Sequence, residues 1–137
     1  MFKFFRNDEI WGSLEGVRRQ YFVGDLKNPQ ILDFLASKDL EIGITHYDTF
    51  FSEDSHRHDQ ATEYQYIISG STQYMDTETK EILEFRAGDF YAILPGTSYA
   101  QKSEPGTTIL FIKAPSINDK QLVEADMQVV DWLSERS

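Results

Sequence analysis

Residues 56–70 read His56-Arg57-His58-Asp59-Gln60-Ala61-Thr62-Glu63-Tyr64-Gln65-Tyr66-Ile67-Ile68-Ser69-Gly70. From Glu63 to Ser69 the run is β-branched and aromatic and a glycine closes it, as in a strand that enters a turn. Side chains alternate across a strand, so if His56 and His58 also lie on extended chain, both imidazoles share one face and Arg57 turns to the other. Glu63 opens the next strand after a short turn and can reach the same space. Two imidazoles and a carboxylate in that relation form a facial set that binds a divalent first-row metal and leaves coordination positions open. On spacing alone the trio reads equally as polar strand surface, and both readings stand at this point.

Outward from this stretch the chain continues in short strand-like segments. Residues 41–50 alternate, with Ile42, Ile44, His46, Asp48 and Phe50 on one face and Gly43, Thr45, Tyr47 and Thr49 on the other. Further strands are predicted over residues 72–75, 81–85, 89–94 and 107–113. Turn residues separate them at Asp76-Thr77-Glu78-Thr79, Ala87-Gly88-Asp89, Pro95-Gly96 and Pro105-Gly106. Many short strands at this spacing argue for an all-β sandwich or barrel. Two helices frame it. Asn28 can cap a short N-terminal helix over residues 29–38 that opens on Pro29 and turns Ile31, Leu32 and Leu35 inward. Asp126 can cap a C-terminal helix over residues 127–135 carrying Val129, Val130, Trp132 and Leu133.

Composition sets the outer bounds. The chain has 137 residues, 40% hydrophobic and 14% aromatic, enough for one packed core and short for two, so one domain over residues 1–137 is expected. Its 23 acidic and 13 basic residues give a net charge of −10, which repels phosphate backbones and anionic membranes. Arg18-Arg19 is only a pair, so neither nucleic acid nor a membrane is an expected partner. There is no cysteine, which excludes disulfides and thiolate chemistry and leaves His, carboxylate, Tyr or metal. The opening Met1-Phe2-Lys3-Phe4-Phe5-Arg6-Asn7-Asp8 lacks the apolar run of a secretory signal, and a cytoplasmic location is expected.

The spacing of these residues resembles the cupin superfamily. Its first motif, G-x5-H-x-H-x3,4-E-x6-G, is matched by His56, His58, Glu63 and Gly70, with Phe50 at the leading glycine. The second, G-x5-P-x-G-x2-H-x3-N, aligns without a gap on Gly88, Leu94, Gly96, Tyr99 and Ser103. It keeps its glycines and spacing, while Leu94, Tyr99 and Ser103 stand where Pro, His and Asn are usual. With flanking strands the resemblance covers about residues 40–113. It implies a cupin-type jelly-roll β-barrel and, in many members, Mn, Fe, Ni, Zn or Cu held inside by three His and one Glu.

Carried over residue by residue, the resemblance implies His56, His58 and Glu63 as ligands to a divalent transition metal such as Mn, Fe, Ni or Zn. Tyr99 falls at the fourth position. An unperturbed phenol ionises near pH ~10, so a neutral Tyr99 that donates a hydrogen bond to a substrate is the expected role. His46 shares a face with Ile42 and Ile44, and if those point into the barrel it becomes a third imidazole or a proton carrier; otherwise it is a hydrogen-bonded core or rim histidine. Gln65, on the face of Glu63, is a candidate for the wall.

Two functions fit. One is a metal-dependent enzyme of isomerase, epimerase or dioxygenase type acting on a sugar-like or other small oxygen-rich molecule, with Tyr99 and His46 as catalytic candidates. The other is a non-catalytic module that binds or senses a sugar or small anion in the same place. No helix-turn-helix segment accompanies the barrel, so a one-chain transcription regulator is not expected. A homodimer is expected, because small barrels expose sheet edges and Phe2, Phe4, Phe5, Trp11 and Tyr21 supply aromatic contact material.

Overall fold

The computed structural model describes residues 1–136. Eleven strands and two helices follow one another as α1 (Asn7–Ser13), β1 (Arg19–Gly24), β2 (Leu35–Ala36), β3 (Glu41–Tyr47), β4 (Phe51–His58), β5 (Thr62–Ser69), β6 (Ser71–Asp76), β7 (Ile82–Arg86), β8 (Phe90–Ile93), β9 (Tyr99–Ser103), β10 (Thr107–Ala114), β11 (Lys120–Leu122) and α2 (Met127–Ser134). They form a six-stranded sheet in the order β2-β1-β3-β10-β5-β8 and a five-stranded sheet in the order β11-β4-β9-β6-β7. Every pairing is antiparallel except the short one between β1 and β2. Neighbours distant in sequence, such as β3 beside β10 and β4 beside β9, make this the expected jelly-roll barrel rather than a meander. Gly70 marks one of its tight corners, at φ +79°, where a Cβ would lie 2.4 Å from Thr107 Oγ1.

The two inner faces meet in unlike halves. One half is packed by Tyr47, Ile67, Tyr74, Tyr91, Tyr99 and Ile109, with Phe51, Phe85 and Ile93 against them. The other is a cavity of about 200 Å³ walled mainly by polar and charged side chains. On the outside of the five-stranded sheet α2 buries Val129 and Trp132 against Met75 and Ala100. Its start is as expected, since the Asp126 side chain accepts the Val129 N–H. Strand β9 lies between these layers. Tyr99 and Gln101 turn to the cavity, Ala100 and Lys102 turn to α2, and all five of its residues are buried.

Two expectations fail for stated physical reasons. Residues 29–38 do not form a helix. The Gln30 side chain accepts the Tyr21 N–H and the Gln20 side chain accepts the Leu32 N–H, so side chains of and around β1 take up this segment's polar groups. Ile31 and Leu35 are exposed, and the N-terminal helix is instead α1. The second correction concerns β3. Its inward face is Glu41, Gly43, Thr45 and Tyr47, and the more apolar face of Ile42, Ile44 and His46 points out. The assumption that apolar residues face inward fails because this half of the barrel encloses a polar cavity. Gly43 is required inside, where the Phe111 ring crosses and a Cβ would come within 2.4 Å of it.

Candidate metal centre

His56 and His58 lie at the end of β4 and Glu63 near the start of β5, in opposite sheets. One ligand atom from each lies within 4.8 Å of the others. The imidazoles are set by their far nitrogens. His56 Nδ1 lies 2.8 Å from the Asp54 carbonyl, which can only accept, so the ring carries its proton there and offers the Nε2 lone pair to the cavity. His58 Nδ1 lies 2.8 Å from Asp119 Oδ1, which assigns the same tautomer. His58 Nε2 then faces Glu63 Oε1 at 3.2 Å. Either a proton on Nε2 or a metal cation satisfies that contact, and burial lowers the pKa of His56, which favours its neutral ligand form. The residues present fit a divalent metal.

Around this trio each neighbour has a definite role. Asp119 Oδ2 accepts the N–H groups of Gln60 and Ala61, both at 2.9 Å. Burial raises the Asp119 carboxyl, but these two donors and His58 outweigh it and bring the pKa down to about 2. Gln65 Nε2 donates to Glu63 Oε2 at 3.3 Å, and its Oε1 accepts from Tyr91 at 2.8 Å and Tyr74 at 3.1 Å. The two phenol oxygens also lie against each other, so their two protons are shared among three oxygen–oxygen contacts. Glu63 is thereby anchored through Gln65 to the packed half of the barrel.

Tyr99 pairs with His56 across β4 and β9, and its O–H donates to Glu63 Oε1 at 2.9 Å. Burial, followed by the charge of Glu63, holds the phenol well above its ordinary pKa. Tyr99 is therefore a protonated donor beside the two imidazoles, with ring centroids 4.4 Å apart for Tyr99 and His56. The gap-free alignment of the second motif sets Tyr99 at the fourth position, and in the fold it stands beside His56 and Glu63. His46 does not join the group. It stands on the outer face of β3, with Nδ1 2.8 Å from Thr108 Oγ1, Nε2 3.1 Å from Asp48 and its ring edge-on to Trp11 at 4.9 Å.

Several cavity residues had no signal in the sequence reading. Glu53 reaches the cavity because β4 slips register against β9 between Glu53 and His56, a bulge that turns two side chains three positions apart to the same side. Burial opposes its ionisation, yet His56 and Lys120 keep its pKa below the usual value. Lys120 of the cavity wall and Asp119 behind His58 come from β11 and the loop before it, a stretch that carries no motif. Arg19 and Tyr21 come from β1, where Arg18-Arg19 read as a solvated pair and Tyr21 as contact material for a second subunit.

No family model matches the sequence, and no curated protein sequence matches it. Solved structures do resemble it. A protein with a double-stranded β-helix domain from Klebsiella pneumoniae is 22% identical with TM-score 0.56, covering 69% of this chain and 80% of that one. KdgF from Halomonas sp. is 18% identical with TM-score 0.53, covering 61% and 74%. The DMSP lyase DddQ from Ruegeria pomeroyi is 16% identical with TM-score 0.57 over 83% of this chain, which spans only 58% of that protein. At these identities the likeness establishes the fold alone, a double-stranded β-helix.

Proposed function

We propose that this chain, which has the cupin fold, is a metal-dependent enzyme acting on a small oxygen-rich molecule, in the manner of an isomerase, epimerase or dioxygenase. The observation that carries the reading is the pair of imidazoles whose Nδ1 protons are engaged by Asp54 and Asp119, so that both Nε2 lone pairs converge with Glu63 on one point. A divalent ion such as Mn, Fe, Ni or Zn held there by His56, His58 and Glu63 would supply Lewis acidity toward substrate oxygens. The remaining work falls to the chain itself. Asp119 and the Asp54 carbonyl orient the imidazoles, and Gln65 fixes the Glu63 carboxylate. Tyr99 keeps its proton on Oη and donates it as a hydrogen bond, to Glu63 or to an oxygen of a bound molecule. With a cavity of about 200 Å³, below the roughly 300–1,000 Å³ of sites for drug-sized ligands, the molecule is small. DddQ, described as a lyase, is an example of an enzyme with a similar fold.

The test begins with untagged protein purified without chelator. Elemental analysis should find transition metal, and His56→Ala or His58→Ala should each abolish it, since a three-ligand site cannot spare an imidazole. Turnover is then sought against sugars, sugar phosphates and enolisable keto compounds. Absence of metal, together with an unchanged melting temperature on adding Mn, Fe, Ni or Zn, overturns the metal reading. The alternative is a binding or sensing module, favoured by the fixed donors Tyr99 and Gln65, and it is the result if ligands bind the loaded protein and none is turned over.

A further inference from the structure

Arg19 opens β1, and its Nε donates to Thr45 Oγ1 at 2.9 Å while the guanidinium carbon sits 5.1 Å from the centroid of the Phe111 ring. These contacts, with the Tyr21 phenol beside the guanidinium, hold the side chain at the cavity wall and leave part of its five-donor fork free. Two other cations line the same cavity, and each has a carboxylate: Lys113 has Glu41 at 3.6 Å and Lys120 has Glu53 at 3.1 Å. Arg19 has none within 4.0 Å among the described residues. It also borders a second recess beside the cavity, to which Arg18 and Lys120 contribute further positive charge.

The charge balance gives this fork a purpose. In the cavity wall Arg19, Lys113 and Lys120 offset Glu41, Glu53 and Glu63. A divalent ion on His56, His58 and Glu63 would add two positive charges, of which the ionised Asp119 behind His58 offsets one, leaving one that no wall residue offsets. Low-dielectric walls focus such an excess, and an anion is what neutralises it. A planar guanidinium with free N–H groups matches a carboxylate through two parallel hydrogen bonds.

We propose that the cavity selects a small carboxylate, whose carboxyl group is held by the Arg19 fork and whose second oxygen function turns to the His56, His58 and Glu63 centre. The second contact rests on the metal reading above, and the first does not. Malate serves as the probe and butane-1,2,4-triol as its neutral counterpart, both titrated by calorimetry into wild type, Arg19→Met and Arg19→Lys, with and without Mn²⁺. Mn²⁺ binding is followed separately by electron paramagnetic resonance. Malate should bind the loaded wild type more tightly than the triol does, and Arg19→Met should weaken malate roughly 10–100-fold while leaving Mn²⁺ and triol binding in place. Arg19→Lys should recover part of the loss and show that the site still folds. If wild type takes up no Mn²⁺ but Arg19-dependent malate binding persists, the metal reading fails and the carboxylate site stands. The proposal is overturned if malate binds wild type and Arg19→Met equally, if it binds neither, if Arg19→Met costs the triol as much as malate, or if inorganic phosphate displaces malate at equal concentration.

Discussion

Replacing Asp119 by Asn keeps the shape of the side chain and removes its charge and one acceptor. The carboxylate receives three hydrogens, from His58 Nδ1 and from the N–H groups of Gln60 and Ala61. An amide turns its NH₂ toward one of these sets, so at least one donor loses its partner in a buried place and an ionic hydrogen bond becomes neutral. At about 1–3 kcal/mol for an orphaned donor, with a charge-assisted bond lost besides, Asp119→Asn should lower the stability of the metal-free protein by about 2–4 kcal/mol at pH 7. The loss should depend on pH in a definite sense. The folded carboxyl titrates at about 2, against an ordinary 3.8, so it contributes stability that is complete above 3.8 and is lost as pH falls through 2. That lowering corresponds to about 2 kcal/mol at neutral pH, of which about half remains at pH ~3. Urea unfolding of both proteins at pH 7 and pH 3 should therefore show the gap narrowing by about 1 kcal/mol. Metal affinity should fall ~10–100-fold in the same variant, because the His58 ring loses its orienting partner. Equal unfolding midpoints at pH 7, or a gap that does not narrow on acidification, would refute the role given to Asp119.

Other expectations are independent of this one. Tyr99→His sets an imidazole beside His56 and Glu63 and should tighten Mn²⁺ or Ni²⁺ binding about tenfold or more by calorimetry; an unchanged affinity removes Tyr99 from the fourth position. Burial holds Tyr47, Tyr74, Tyr91 and Tyr99 above the ordinary phenol range, so at least these four of the seven tyrosines should resist ionisation at pH ~10–11 in an ultraviolet titration. Their contribution to stability is present below pH ~10 and lost above it, so they should ionise together with alkaline unfolding; four early, reversible ionisations would contradict their burial. Lys102 Nζ donates to the Trp132 and Glu135 carbonyls at 2.8 Å each, and Lys102→Ala should cost about 1–3 kcal/mol and expose α2 to limited proteolysis, whereas an α2 as resistant as in wild type would show that the ammonium does not hold it. Light scattering at micromolar concentration should return a homodimer, since Tyr64, Tyr66, Ile68 and Phe90 are exposed on the outer face of the larger sheet; a monomer removes the expectation.

The parts of the molecule that were legible in the sequence are those governed by local rules. Strands β5, β6, β8 and β10 carry β-branched or aromatic runs with turn residues between them, and α2 carries both a cap and an apolar side. His56, His58, Glu63 and Tyr99 were legible because fixed spacing survives where residue identity changes. Strand β9 was not, because YAQKS is buried on both faces by polar and small residues and has no alternation to read. Neither was Asp119, which lies 61 positions from His58 and belongs to the site through sheet order alone. His46 was left with two alternatives, and the hydrogen-bonded rim histidine is the one seen, because Ile42 and Ile44 face away from a barrel half filled with charge.

Strand β9, with no face toward solvent, also limits how the chain can change in length. Sliding it by one residue would exchange Tyr99 and Gln101 for Ala100 and Lys102, sending an ammonium group into the cavity and a phenol against Trp132. The turn ahead of it cannot absorb a slip, because the Gly96 N–H donates to the His58 carbonyl at 2.7 Å and the Ser98 carbonyl accepts the Thr77 N–H at 2.9 Å. An insertion or deletion between Leu94 and Ser98 would disrupt the site and the helix packing together. The turn at Thr77–Lys80, which joins β6 to β7, is tied to the same places, because the Thr77 N–H donates to Ser98 ahead of β9 and Lys80 pairs with Asp126, the cap of α2, at 2.7 Å. Length variants that still fold should therefore be absent before Tyr99.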